Sequence, residues 1–256
     1  MRKKKIWIVL FISILCMIIF SSEAFAAPGI SISDNGITLN STDNPQEISN
    51  SIKLLLLLTV LSVLPSILIM MTSFTRIVIV FSFLRNAMGT QQIPPNQVVI
   101  GLSLFLTFFI MTPVMADINK NALEPFANNQ ITLEQAMDTS SDSIKGFMLD
   151  NIHNEKDLAL FANIAKVARP ENRIDLPLTV VIPAFMISEL KIAFQIGFML
   201  YIPFLVIDMV VASTLMAMGM MMLPPVMISM PFKILLFLLV DGWNLLTETI
   251  IKSFTG

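Results

Sequence analysis

The sequence predicts an all-α membrane protein, with long apolar helical hairpins and a small extracytoplasmic helical domain between them. Three observations carry this. The 256 residues are 55% hydrophobic and 13% charged, whereas an average soluble domain carries roughly 25% charged residues. Leu54 to Thr75 and Val98 to Ala116 hold no charge, and Pro177 to Val240 holds four. Between them, residues 117–176 hold ten acidic and six basic residues. A mean hydropathy of +0.79 would leave too much apolar surface in water, so a bilayer or a tight assembly must cover it. The net charge of -2 offers no electrostatic footing for nucleic acid.

The first element, 1–26, reads as a cleavable export signal. Arg2 to Lys5 is a basic start, Ile6 to Phe20 is apolar except for Ser13, and Ala24-Phe25-Ala26 places small residues where a signal peptidase reads them. Cleavage then falls between Ala26 and Ala27. The single cysteine, Cys16, lies in the signal, so the mature chain is expected to have no disulfide and no cysteine metal site. Residues 27–51, rich in Ser, Asn and Asp, are expected to form a loosely ordered extracytoplasmic arm.

Residues 52–116 make the first apolar hairpin. Leu54 to Thr75 is long enough to cross a hydrocarbon core, which takes about 20 residues. Thr59, Ser62, Ser66 and Ser73 fall near one helical face, where small hydroxyl side chains let a second helix approach. Arg76 and Arg85 form a basic connection, Gln91 to Asn96 reads as a turn, and Val98 to Ala116 is the returning span.

Residues 117–176 read as a small helical domain in water. Thr132 and Gln135 have the spacing of a capping box. Asn154 is an N-cap for a helix ending before Arg169-Pro170, with Leu158, Phe161, Ala162, Ile164 and Ala165 on its apolar face. In 177–240 two long helices meet at Leu223-Pro224-Pro225, and 241–256 is a short amphipathic tail. Signal cleavage places Ala27 outside, the basic connection sits inside, and the acidic domain returns outside.

No catalytic chemistry is predicted. His153 is the one histidine, so no paired-His zinc motif exists, and there is no Walker loop or G-x-S-x-G. Asp208 and Asp241 read as structural acids and not as an aspartyl dyad. No cofactor and no metal are expected.

Two features stand above background. Eight of the 19 methionines fall between Met209 and Met230. Met218, Met220, Met221 and Met222 crowd before Pro224-Pro225, and such unbranched side chains could seal a passage and still deform. The other feature is charge in apolar surroundings, costing roughly 2.5–3.5 kcal/mol each at mid-membrane. Glu189, Lys233, Asp208 and Arg76 are the candidates for buried pairing and assembly. Glu189 with Lys233 is the pair read from the sequence, within one chain or between neighbours; Lys191 is expected to reach water by snorkelling.

Pro183-Ala184-Phe185-Met186-Ile187-Ser188-Glu189-Leu190-Lys191 and Ala193 to Phe198 resemble the FliP family of flagellar biosynthesis proteins. So do Ile202-Pro203-Phe204-Leu205-Val206-Ile207-Asp208, Met218 to Pro225, Pro231-Phe232-Lys233, Asp241-Gly242-Trp243, and upstream Thr72 to Arg76 and Leu84 to Gly89. The resemblance runs from about Leu54 to Trp243. It implies a subunit of a type III protein export gate in the bacterial inner membrane, at the flagellar basal body. Copies of the chain, as a pentamer, would assemble with FliQ-like and FliR-like subunits and with FlhB-like and FlhA-like components around a conduit for unfolded cargo. It also implies that the methionine loop lines the closed constriction, and that the apolar helices bury against protein as well as lipid. The injectisome counterpart is the near alternative. A stand-alone ion or solute channel, which would need polar stripes along a narrow path, is the alternative of a different class.

Overall fold

The computed structural model describes residues 30–33, 36–39, 45–90, 93–167, 172–220 and 222–255. The expected cleavage site at Ala26 and Ala27 lies outside these residues. The chain divides at Leu64 into two compact units.

The first unit holds a hairpin of two short antiparallel strands, β1 (Ile30–Ser33) and β2 (Gly36–Leu39). Most of helix α1 (Pro45–Met71) follows. The arm is therefore shorter than expected, since the helix begins at Pro45. Thr59 and Ser62 donate to carbonyls of their own helix, Leu55 O at 2.8 Å and Thr59 O at 2.8 Å.

The chain breaks at Thr72-Ser73, inside the stretch read as one span. Helix α2 (Phe74–Ala87) begins there, and the Thr75 hydroxyl donates to Ile69 O at 2.9 Å, satisfying a carbonyl freed by the end of α1. What read as a basic connection is thus a buried helix. Its face Ile77, Val80, Phe81, Leu84 and Ala87 repeats at three and four residues, the spacing of one helical side. Gly89 ends it with φ of 75°, a left-handed conformation that suits glycine.

Helix α3 (Asn96–Ile118) runs through a π-helical turn (Asn119–Leu123) into α4 (Glu124–Ala127). Two helices cover the polar region. In α5 (Leu133–Asp150) both hydrogen bonds of the Thr132–Gln135 capping box are present. In α6 (Glu155–Ile164) the Asn154 side chain accepts from Lys156 N–H. Helix α6 is shorter than expected: it stops at Ala165, where Lys166 takes a φ of 53°. Leu158 is buried, but Ile164 is 68% exposed.

Helix α7 (Leu178–Ala217) is continuous over 40 residues through Pro183 and Pro203. Gly219, with φ of 76°, turns the chain; α8 (Pro225–Leu239) and α9 (Gly242–Thr255) complete the fold.

One apolar cluster joins α2 to Val99, Leu106 and Ile110 of α3, Ala193 and Phe204 of α7, Phe237 of α8, and Leu246 and Ile250 of α9. A second joins Met148, Leu149 and Ile152 to Val180, Val181, Ala184 and Phe185 at the start of α7. Residues 117–176 therefore share a core with α7.

Among the described residues, Asn96–Ala127 and Leu178–Ala217 are long and apolar enough to cross a membrane. Helices α8 and α9, bent by 65°, add a third crossing if they form one broken span. At 1.5 Å per residue α7 is about 60 Å long, twice the roughly 30 Å of a hydrocarbon core. Phe194, Phe198, Met199, Met209 and Met216 lie exposed along it.

Candidate functional site

Arg76 and Glu189 are both fully buried and form a two-pronged ion pair. Arg76 Nε donates to Glu189 Oε2 at 2.9 Å, and Nη2 donates to Oε1 at 2.5 Å. Nη1 donates to Ser253 O at 2.8 Å and Ser253 Oγ at 2.9 Å. The Phe254 ring lies 3.6 Å from the guanidinium carbon, close enough for a cation–π contact. One arginine thus ties α2, α7 and the last turn of α9 together. A buried charge is tolerated only when paired and hydrogen-bonded, and Arg76 meets that condition through four hydrogen bonds.

The second pair is Lys233 with Asp208. Lys233 Nζ donates to Asp208 Oδ2 at 2.6 Å and to Ala87 O at 3.1 Å. Ser229 Oγ donates to Asp208 Oδ1 at 2.5 Å. Lys233 is buried, whereas the Asp208 side chain is 26% exposed. The ammonium also sits on a carbonyl at the C-terminus of α2, where the helix dipole favours a cation. This pair joins α2, α7 and α8.

The four charged candidates are therefore brought into two ion pairs, one fully buried and one with its acid partly exposed, but the pairing of Glu189 with Lys233 is corrected. Within the chain both Glu189 oxygens are taken by Arg76, and Lys233 is held by Asp208 and Ala87. Glu189 and Asp208 are 19 residues apart on α7, about 28 Å along its axis, too far for one lysine to serve both. Residues 192–207 between them carry no charge. Sequence reading gave Ser229, Ser253, Phe254 and the Ala87 carbonyl no part in the charge pairing. The available signal was the helical period from Ile77 to Ala87, which marks Arg76 as part of an apolar helix.

Lys191, half exposed, pairs with the buried Asp157 at 2.5 Å and links α7 to α6. Asp241 is exposed, with a φ of 49° just before α9, whereas Asp208 is held by Ser229 and Lys233. His153 lies beside Asn151 O at 3.1 Å. No group of residues suited to a metal occurs among the described residues.

The methionine turn lies between α7 and α8. Met218 is 64%, Met220 43% and Met222 98% exposed; Met221 lies outside the described residues. Met218, Met220 and Met222 join none of the buried apolar clusters among the described residues.

Comparison with known proteins bears on this arrangement. Residues 57–250 match the FliP family. The flagellar biosynthetic protein FliP of Bacillus subtilis (strain 168) is 61% identical over 218 residues, covering 85% of this chain and 98% of the relative. That of Pectobacterium carotovorum subsp. carotovorum is 50% identical over 90% of this chain and 89% of its own length. The Aquifex aeolicus (strain VF5) protein of the same name is 53% identical over 80% and 86%. The matched span includes both ion pairs and the methionine turn.

Proposed function

The chain belongs to the FliP family, and on that premise we propose that it is a core subunit of the flagellar type III protein export gate. Copies of it assemble, as a pentamer, with FliQ-like and FliR-like subunits and work beside FlhB-like and FlhA-like components. The assembly sits in the bacterial inner membrane with the mature N-terminus outside. Unfolded flagellar proteins pass through its centre. The chain supplies a passage and no bond-making chemistry.

The family match over 57–250 is the observation that carries this reading. Two physical features support it. Helix α7 is longer than one bilayer thickness, and its exposed apolar face suits cover by neighbouring protein as well as lipid. The exposed methionines cluster at one turn, where neighbours around a ring would bring them together as a deformable seal.

The relatives carry flagellar names, which favours this branch over the injectisome. A stand-alone ion channel gains no support from the charges, because Arg76, Glu189, Asp208 and Lys233 are engaged with one another.

The test is deletion of the gene from its source cell and return on a plasmid. Loss of secreted flagellar subunits from the medium, and their recovery with the plasmid, is the expected result. Undiminished secretion in the deletion strain overturns the proposal.

A further inference from the structure

Charge is divided unevenly within the polar region. Residues 117–155 hold seven acidic and two basic residues, whereas residues 156–173 hold four basic and two acidic ones. Each part carries a surface that combines charge with apolar groups. At the start of α5, Leu133 and Met137 stand four residues apart, as do Glu134 and Asp138, so the two pairs run side by side along the helix. All four are exposed. Neither acid belongs to an ion pair among the described residues.

The other surface is a groove of about 500 Å³ between α6 and the helical turn Arg173–Asp175. Leu158, Ala162 and Val167 line it with apolar surface, and Lys156 and Arg173 line it with positive charge. Glu155 is the acid at its edge. Arg173 Nη2 donates to Leu149 O at 3.2 Å, and neither cation belongs to an ion pair among the described residues. The stripe lies at the end of α5 where Ala136 packs on Ile118 and Ala122. The groove adjoins the opposite end, where Leu149 shares a cluster with Leu158. From Met137 to Leu149 the helix runs about 18 Å, so the stripe does not reach its own groove.

We propose that the α5 stripe of one copy seats in the α6 groove of the next, with Met137 against the apolar lining and Glu134 and Asp138 facing Lys156 and Arg173. The inference rests on the reading of the chain as a ring-forming gate subunit, and it names the two faces that meet. Opposite charges set the register of such a contact, and its apolar centre excludes water. Each copy offers one surface and receives the other, which makes the contact head-to-tail and lets it close into a ring. A two-fold contact of stripe on stripe would set acid against acid.

Disulfide trapping of the full chain in membranes tests this. Cys16 is the single cysteine, so Cys16→Ser gives a background without thiols. Met137→Cys and Ala159→Cys then place thiols at exposed positions, one on the stripe and one in the groove. A chain carrying both is expected to give a ladder of covalent multimers on oxidation, and either change alone is expected to give none. Two singly changed chains expressed together give dimers and no higher band. Glu134→Lys with Asp138→Lys lowers the ladder about tenfold, and adding Lys156→Glu with Arg173→Glu restores most of it. A dimer from either single cysteine overturns the proposal, because it marks a two-fold contact. A ladder indifferent to the charge reversals overturns it too, as does capture of a different protein by a photo-crosslinker at Ala159. A native particle of several copies that yields no ladder overturns this pairing and leaves the export-gate reading standing, whereas a particle of one copy overturns both.

Discussion

Arg76 and Glu189 stand 113 positions apart in the chain and meet at 2.5 Å with neither side chain exposed. The contact fixes α2 against α7, and Ser253 and Phe254 close over it from the end of α9. Removing one partner leaves the other charged and buried. Glu189→Gln and Arg76→Met are each expected to destabilise the solubilised protein by about 3–5 kcal/mol. Replacing both, Arg76→Met with Glu189→Leu, is expected to be milder than either alone. Thermal unfolding of the three variants checks this, and additive losses contradict the pairing.

The pair of Asp208 with Lys233 is wetter, because Asp208 is 26% exposed and keeps Ser229. Lys233→Met is therefore expected to cost less than Glu189→Gln, about 1–3 kcal/mol. Exchanging Glu189→Lys with Lys233→Glu is not expected to rescue either single change, since it sets Arg76 against a cation and Asp208 against an acid. Abundance in membranes, compared across the single and double variants, reads the outcome.

Much of this was legible in the residues. The capping box at Thr132 and the N-cap at Asn154 need only local spacing, and both form as read. The apolar stretches became long helices because an uncharged run of that length satisfies its backbone most readily as a helix. The partner of each buried charge was not legible. Pairing across 113 residues depends on how α2 packs on α7, and that depends on the break at Thr72-Ser73, which an unbroken apolar run conceals. Arg76 stood among the candidates for buried pairing, but in a basic connection, because helix α2 was hidden between two spans. Among the methionines, clustering could be read directly, but exposure could not.

The caps offer a local measure of stability. Thr132→Ala removes the side-chain acceptor for Gln135 N–H, and Asn154→Ala removes the one for Lys156 N–H. Each is expected to cost about 0.5–2 kcal/mol. Chemical denaturation of the solubilised chain measures it, and a loss near zero for both means the caps are redundant with tertiary packing.

The methionine turn should be separable from the fold. Met218, Met220 and Met222 are exposed, so their replacement with Met221 by Ala is expected to shift stability by no more than about 0.5 kcal/mol. If they form the seal, the quadruple variant leaks ions while still secreting. Conductance of the cytoplasmic membrane in cells carrying the variant decides it, and unchanged permeability removes these side chains from the seal.

Native mass measurement of the complex solubilised in mild detergent, purified through a tag on this chain, counts the copies per particle. The expected particle is a ring of several copies, a pentamer, carrying smaller membrane subunits with it. A particle holding one copy of the chain and no partner contradicts the proposed assembly.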